Sequence, residues 1–283
     1  MSNLAVTCAK QGKFKKAEEL EVLVLEKCCK ILGEDHPDTV EAMGNLAARY
    51  FQLGGFRKAE ELKVLVLEKH RKLLGDEHLS TLLTVGNLAQ IYSGLGDVQK
   101  AMELEVLVLE KCTELLGEDH PHTLSAMGNL ASTYSNLRAF KKAEELEVLV
   151  LEKRTKVLGE DHPDTLLAMD NLASTYVGLR KSQKAKGLQV LVLEKHTKLL
   201  GVDHPDTLRV MANLAVTYYT LGDFNNALGL EVEVLQKRRQ LLGDKYPHTI
   251  LAMENLTETY QKLGKLEEME ELKQLIADTK ESL

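Results

Sequence analysis

One stretch of this sequence decides its fold: Gly33–Gly75, which reads GEDHPDTVEAMGNLAARYFQLGGFRKAEELKVLVLEKHRKLLG. Its tripeptide Asn-Leu-Ala recurs every 42 residues without insertion or deletion, and a variant, Asn-Leu-Thr, occupies the last position. A fixed period of this length is typical of arrays in which each small unit packs on its neighbours. The recurring asparagines are Asn3, Asn45, Asn87, Asn129, Asn171, Asn213 and Asn255.

Each unit predicts two helices. Gly33 suits the end of one helix because glycine tolerates positive φ, and Pro37 suits the first position of the next because it needs no N–H donor there. The Gly54-Gly55 pair then separates two apolar stripes at helical spacing. The residues predicted to face inward are Met43, Leu46, Ala47, Tyr50 and Leu53, then Phe56, Ala59, Leu62, Val66 and Leu73. The charged residues predicted to form a solvated face are Lys58, Glu60, Glu61, Lys63, Glu68 and Lys69.

The repeat also predicts the domain organisation. Neither helix can bury its stripe alone, so neighbouring units must stack to form a core. We therefore expect one all-α array over residues 1–283. Its units lie at about 1–33, 34–75, 76–117, 118–159, 160–201, 202–243 and 244–283. Met1 aligns with Met43, so the first helix is expected to be truncated, as in a piece of a longer protein.

Composition and charge exclude several classes of protein. Apolar residues make up 44% and charged residues 28%, which argues against disorder. No apolar run is long enough to span a membrane, and no signal peptide precedes the repeats. The net charge of −7 carries no basic block, which argues against a nucleic-acid partner. The four cysteines lack a disulfide framework, which favours a reducing, cytoplasmic location.

The order of large and small residues resembles the tetratricopeptide repeat: Leu46-Ala47, Tyr50, Gly54, Phe56 and Ala59 keep its spacing. The longer unit, with its Leu-Gly-Glu-Asp-His-Pro-Asp-Thr link, resembles the 42-residue repeat of kinesin light chains. The same unit occurs at the C-terminus of fungal and bacterial nucleotide-binding, receptor-like proteins. The resemblance covers the whole chain. It implies an α-solenoid, a right-handed superhelix of antiparallel helix hairpins whose concave groove is lined by the first helix of each hairpin.

The resemblance also implies a binding site. In these families the recurrent asparagine faces the groove and hydrogen-bonds the backbone of an extended peptide, and an amide suits this because it both donates and accepts. The alternative is that each asparagine bonds a neighbouring helix and sets the stacking angle. The predicted peptide-binding residues are Asn45, Asn87, Asn129, Asn171, Asn213, Asn255, Gln90, Ser132, Ser135, Asp170, Ser174 and Tyr219.

The groove neighbours predict the character of the ligand. The glycines beside the asparagines (Gly44, Gly86 and Gly128) either leave room for a ligand backbone or only allow close helix packing. Arg209 is the single basic residue at the position where chaperone-binding arrays carry a carboxylate clamp. We therefore expect a neutral or mildly basic segment, with Asp170, Glu254 and Glu258 free to pair its cations. For Asp170 the alternative is an ion pair with Arg209.

Catalytic and metal chemistry find no support in the pattern. The link histidines recur once per unit, too far apart to share one ion, and we expect them to cap the preceding helix or pack over the link. No phosphate-binding loop or nucleophile motif is present. We therefore expect no enzyme activity, no cofactor and no metal. The histidines are His36, His78, His120, His162 and His204.

The sequence thus predicts a non-catalytic scaffold that holds a protein or peptide in its groove, as a monomer or with weak self-association. One alternative is a structural spacer that self-associates through Leu4 and Val6. Others are a ligand-sensing array of a nucleotide-binding receptor-like protein, or an enzyme with its site in the groove. The unit around residues 165 to 200 is predicted to be the least stable, because Arg180 replaces the turn glycine and Gly187 interrupts its second helix.

Overall fold

The computed structural model describes residues 14–281, and this part of the chain contains thirteen α-helices and no strand. Helices of 16 or 17 residues alternate with helices of 19 residues, except that the last helix has 16, and short turns join them. They are α1 (Phe14–Leu32), α2 (Pro37–Gln52), α3 (Phe56–Leu74), α4 (Leu79–Gly94), α5 (Val98–Leu116), α6 (Pro121–Asn136), α7 (Phe140–Leu158), α8 (Pro163–Gly178), α9 (Ser182–Leu200), α10 (Pro205–Thr220), α11 (Phe224–Leu242), α12 (Pro247–Leu263) and α13 (Leu266–Glu281). The prediction of an all-α solenoid of helix hairpins is confirmed.

The chain divides into two compact units, residues 1–139 and 140–283. Within each unit every helix packs against the next helix in the sequence. First helices of successive hairpins also touch: α4 contacts α6 in the first unit, and α10 contacts both α8 and α12 in the second. Each unit is therefore a stack of hairpins in which first helices of successive hairpins come into contact.

Small residues allow the helices of a hairpin to approach closely. Ala47, Ala59, Ala89 and Ala101 are fully buried, and larger side chains such as Leu46 fill the space beside them. This confirms most of the predicted inward residues. Leu53 and Leu73 were wrongly predicted, because they are 40% and 49% exposed. Leu53 lies just beyond the end of α2 and Leu73 in the last turn of α3, where no neighbouring helix covers them.

The link between hairpins is held by side chains that satisfy the helix ends. The Nδ1 atom of His36 accepts a hydrogen bond from the backbone N–H of Asp38 at 3.2 Å, and the other link histidines do the same. The expectation that these histidines cap the preceding helix is therefore wrong, because they cap the following one. The preceding helix ends at Gly33 with φ of 89°, where the Thr39 hydroxyl donates to its carbonyl oxygen at 2.7 Å.

Two turns depart from the glycine pattern. Arg138 and Arg180 have φ of 58° and 59°, and they are the non-glycine residues with positive φ in the part of the chain that the structure describes. They replace Gly54, Gly96 and Gly222 of other units, which have φ between 77° and 84°. The turn therefore keeps its left-handed conformation even where the residue adopts it at a cost of roughly 1–2 kcal/mol.

Candidate peptide-binding groove

The recurrent asparagines lie on the first helix of each hairpin and are accessible to solvent. Asn45 and Asn87 are exposed, and Asn129, Asn171, Asn213 and Asn255 are half-buried, whereas Asn3 lies outside the described residues. Asn213 donates from Nδ2 to Asp170 at 3.0 Å. Within residues 14–281 the other five form no side-chain hydrogen bond, so their amides are available to a ligand. The structural alternative, bonding to a neighbouring helix, therefore applies to Asn213.

Two of these amides share one cavity in the first compact unit, residues 1–139. It has a volume of about 730 Å³ and lies between α2 and α4, with α3 behind it. Asn45 and Asn87 line it from the two first helices, together with Gly44 and Ala48. The second helix contributes the remaining wall, namely Lys63, Val66, His70, Leu73 and Leu74. The cavity thus brings together two of the recurrent asparagines (Asn45, Asn87, Asn129, Asn171, Asn213 and Asn255), which we call the ladder.

The glycines beside the asparagines leave this surface open. A Cβ atom added at Gly44 would meet its nearest neighbour, Lys63 Nζ, at 3.8 Å, and one at Gly86 would meet Val108 Cγ1 at 4.0 Å. At Gly128 nothing lies within 4 Å. Because these are ordinary contact distances or open space, helix packing does not require glycine here. This favours the interpretation that the glycines leave room for a ligand backbone.

Close packing requires glycine elsewhere. A Cβ atom at Gly94 would lie 2.7 Å from Phe56 Cε1, and one at Gly178 would overlap the Phe140 ring. Both glycines end a first helix and receive the ring that opens the preceding second helix. The sequence therefore uses glycine in two ways, and the position beside the recurrent asparagine is the one that has room for a side chain.

Asp170 is the predicted site residue that the structure places least accessibly. Its side chain is 1% exposed and forms an ion pair with Arg209 of the next hairpin. Asn213 donates to the same oxygen, Oδ2. This is the structural alternative that the sequence left open for Asp170. Of the other acidic residues expected to pair a basic ligand, Glu254 binds Lys280 at 2.8 Å and Glu258 is exposed.

The remaining predicted residues lie on the same helices. Gln90, Ser132 and Ser174 are exposed, and Ser135 is half-buried. Ser132 donates to the carbonyl oxygen of Gly128 at 3.0 Å and Ser174 to that of Asp170 at 3.1 Å, so their oxygens remain able to accept. Tyr219 packs edge-on against Phe224, with ring centroids 5.3 Å apart.

A column of buried polar residues was missed. Lys63, predicted to be solvated, is only 7% exposed, and its counterparts in other units are buried as well. Each lies on a second helix and packs toward the following hairpin. Glu21 binds Arg49 at 3.0 Å, and Gln189 accepts from the Thr217 hydroxyl at 2.6 Å. The sequence signal that points to this buried column is the Thr found 28 residues after most of these positions. The residues are Glu21, Lys63, Glu105, Glu147, Gln189 and Glu231.

Burial sets the ionisation of this column. Desolvation raises the pKa of Glu147 to about 7, opposed by the Thr175 hydroxyl, which bonds the carboxylate, and assisted by the charge of Glu144. The pKa of Glu231 is also raised to about 7, again chiefly by desolvation. Glu105 shifts in the same direction for the same reason. These carboxyl groups act in the packing between helices and face away from solvent.

Neither a metal site nor a membrane span is found in the described part. Among residues 14–281, no group of three or more His, Cys, Asp or Glu side chains could hold a metal ion. No helix in that range is long and apolar enough to cross a membrane. The cysteines there, Cys28, Cys29 and Cys112, are free thiols, and Cys8 lies outside the described residues.

Comparison with known proteins agrees with this architecture. The solved repeats assigned to a kinesin light chain of Podosopora anserina, described as nearly identical TPR-like repeats, align with a TM-score of 0.59 and 31% identity, over 72% of this chain and 97% of that one. A STAND protein with a tetratricopeptide repeat sensor from Pyrococcus horikoshii gives 0.60 and 16%, over 98% of this chain and 41% of that one. Rap protein complexed with Competence and Sporulation Factor gives 0.60 and 11%, over 99% and 96%.

At the 16% and 11% identity of the STAND protein and the Rap protein, the likeness shows the fold alone. No curated protein sequence matches the chain. One tetratricopeptide repeat profile matches residues 81–122, 123–164, 165–206 and 207–248, and a second matches residues 1–63. Because these profiles cover well over half of the sequence, the chain belongs to the tetratricopeptide repeat family.

Proposed function

We propose that this chain is a non-catalytic scaffold that binds an extended peptide segment of a partner protein along its first helices. The observation that carries the proposal is the shared cavity, in which the amides of Asn45 and Asn87 face solvent and bond nothing in the described residues. An amide can accept from a peptide N–H and donate to a peptide C=O, so it reads backbone and tolerates many side chains.

Two further observations support this proposal. The open space beside Gly44 and Gly86 lets a backbone approach the helices. The Rap protein, which has the same fold, is complexed with Competence and Sporulation Factor, and this supports a role in ligand binding.

The test is selection from a random dodecamer library displayed on phage, with the full chain as bait. A selected peptide is then synthesised with blocked termini and its affinity measured by fluorescence anisotropy. Replacing Asn45 and Asn87 by Ala together is expected to weaken binding about tenfold to a hundredfold, since each amide hydrogen bond contributes roughly 0.5–1.5 kcal/mol.

The matched control is Asn136→Ala, which removes an exposed amide at the end of α6 that does not line the shared cavity. Circular dichroism verifies that all variants remain folded. Equal affinity of the double variant and the wild-type chain would remove the ladder from the binding hypothesis. Failure to select any peptide would favour a spacer role instead.

A further inference from the structure

Lys63 breaks the buried column at one unit. The residues in register with it are acids or an amide that face a polar partner 28 residues later. For Lys63 that partner position is Ile91, whose hydrocarbon side chain can neither accept a hydrogen bond nor pair a charge. Among the described residues, Lys63 forms no hydrogen bond and no ion pair, although it is only 7% exposed. It is therefore a largely buried cation without a partner among the residues that the structure describes.

An unpaired cation in this position destabilises the folded state, and the pKa of Lys63 reflects this. Desolvation lowers the pKa of Lys63, and no nearby charge opposes the shift. Taking a charge out of water without a counterion is unfavourable, and a correctly placed anion offsets much of that penalty. The site is thus prepared for a negative group that the chain itself does not supply.

The cation is reachable because it lines the groove cavity. Lys63 rises from α3 between α2 and α4, and its Nζ atom lies close to Gly44 on the groove helix. Asn45 and Asn87 line the same cavity. Its other ionisable groups are Glu41, which is exposed, and His70, whose Nδ1 lies 2.9 Å from the Thr84 hydroxyl.

We propose that Lys63 anchors the side-chain carboxylate of an Asp or Glu in the bound peptide, while Asn45 and Asn87 hold that peptide's backbone. This inference rests on the proposed function and names the ligand chemistry of its first-unit cavity. A single amine with Glu41 nearby suits a monoanion better than a phosphate dianion. The neutral or basic ligand expected from the first helices does not apply here, because Lys63 comes from the second helix.

The test uses the peptides selected from the dodecamer library on the full chain. They are expected to carry an Asp or Glu at one fixed position. Replacing that acid by its amide, or introducing Lys63→Gln into the protein, should each weaken binding about tenfold to a hundredfold, as expected for a hydrogen bond to a charged group. The two changes together should weaken it no further, because both remove the same contact.

Two variants make the test specific. Lys63→Gln and Lys63→Glu place at this position the residues that other units already carry, so both side chains fit its size, and circular dichroism verifies that both variants fold. Selection on Lys63→Glu should yield Lys or Arg in place of the acid. Lys72→Gln, on the same helix but at the surface, removes an equal charge and should leave the affinity unchanged.

The outcomes separate this inference from the proposed function. Peptides that depend on Asn45 and Asn87 but carry no acid, or that bind Lys63→Gln as well as wild type, would overturn the role of Lys63 and leave the ladder intact. Peptides that keep their affinity without the two amides, or a library that yields no binder, would overturn both. Acid preference that persists in Lys63→Glu would also contradict the anchor.

Discussion

Replacing Glu147 by Gln should stabilise this protein above neutral pH. Glu147 is 4% exposed, its Oε2 has no hydrogen-bond partner, and burial raises its pKa to about 7 from an ordinary value of 4.5. The folded state therefore holds a proton that the unfolded chain releases above pH 4.5. Stability must fall between pH 4.5 and 7, where the folded state binds more protons, and the full penalty persists at higher pH.

The size of the stabilisation follows from the difference between the pKa of about 7 in the folded state and the ordinary value of 4.5. At 1.36 kcal/mol for each pKa unit, the ionised carboxyl weakens the fold by about 3 kcal/mol above pH 7. Glutamine keeps the shape and cannot ionise. The chain already carries this solution in the next unit, where Gln189 accepts from Thr217 at 2.6 Å.

The assay is urea unfolding of the full chain, followed by circular dichroism at pH 5 and pH 9. The free energy of unfolding of Glu147→Gln should exceed that of the wild type by about 3 kcal/mol at pH 9 and by less than about 1 kcal/mol at pH 5. The control Glu145→Gln changes an exposed residue of the same helix and should stay within about 0.5 kcal/mol at both pH values. An equal effect of Glu147→Gln at both pH values would refute the reasoning.

Three other substitutions test the stability of individual features: a buried ion pair, a turn with positive φ and a glycine inside a helix. Arg209→Ala should destabilise the chain by about 2 kcal/mol, because Asp170 is left buried without its cation while Arg209 itself is partly exposed; adding Asp170→Ala should restore part of this loss, and no recovery would contradict the account. Arg180→Gly should stabilise by about 1 kcal/mol in thermal unfolding by relieving a positive φ, whereas Lys181→Gly should not. Gly187→Ala should raise the free energy of unfolding by about 1 kcal/mol, because Gly187 is an exposed residue inside a helix. Hydrogen exchange of the wild-type chain should show the least protection around residues 165–200, and uniform protection along the chain would contradict the prediction that this unit is the least stable.

The sequence was sufficient for the fold because the repeat states the same helix signals in every unit. Gly33, Pro37 and the alternation of Ala47 with Tyr50 specify ends, starts and packing, and the structure follows them. Boundaries at the turns were also predictable, since a positive φ occurs even where Arg138 replaces glycine. Local chemistry repeated many times leaves few alternatives for the hairpin.

The site was less predictable because it depends on contacts between units. The sequence pattern predicts Lys63 to be solvated because its neighbours in sequence are charged, and only the approach of the next hairpin buries it. The sequence predicts that the histidines cap the preceding helix, whereas they cap the following one, because the choice depends on the backbone path of the link. Asp170 shows the same limit: an ion pair to Arg209 and a ligand contact require the same residue type, and burial distinguishes them.

The most direct test of peptide binding by the ladder is NMR of the side-chain amides. Two-dimensional nitrogen–proton spectra of the full chain are recorded while a selected dodecamer is added, with assignments from Asn45→Gln and Asn87→Gln. We expect the amide signals of Asn45 and Asn87 to shift with saturation, and that of Asn136 to stay in place. Saturable binding that leaves both ladder signals unmoved would contradict the proposal that these amides hold the ligand.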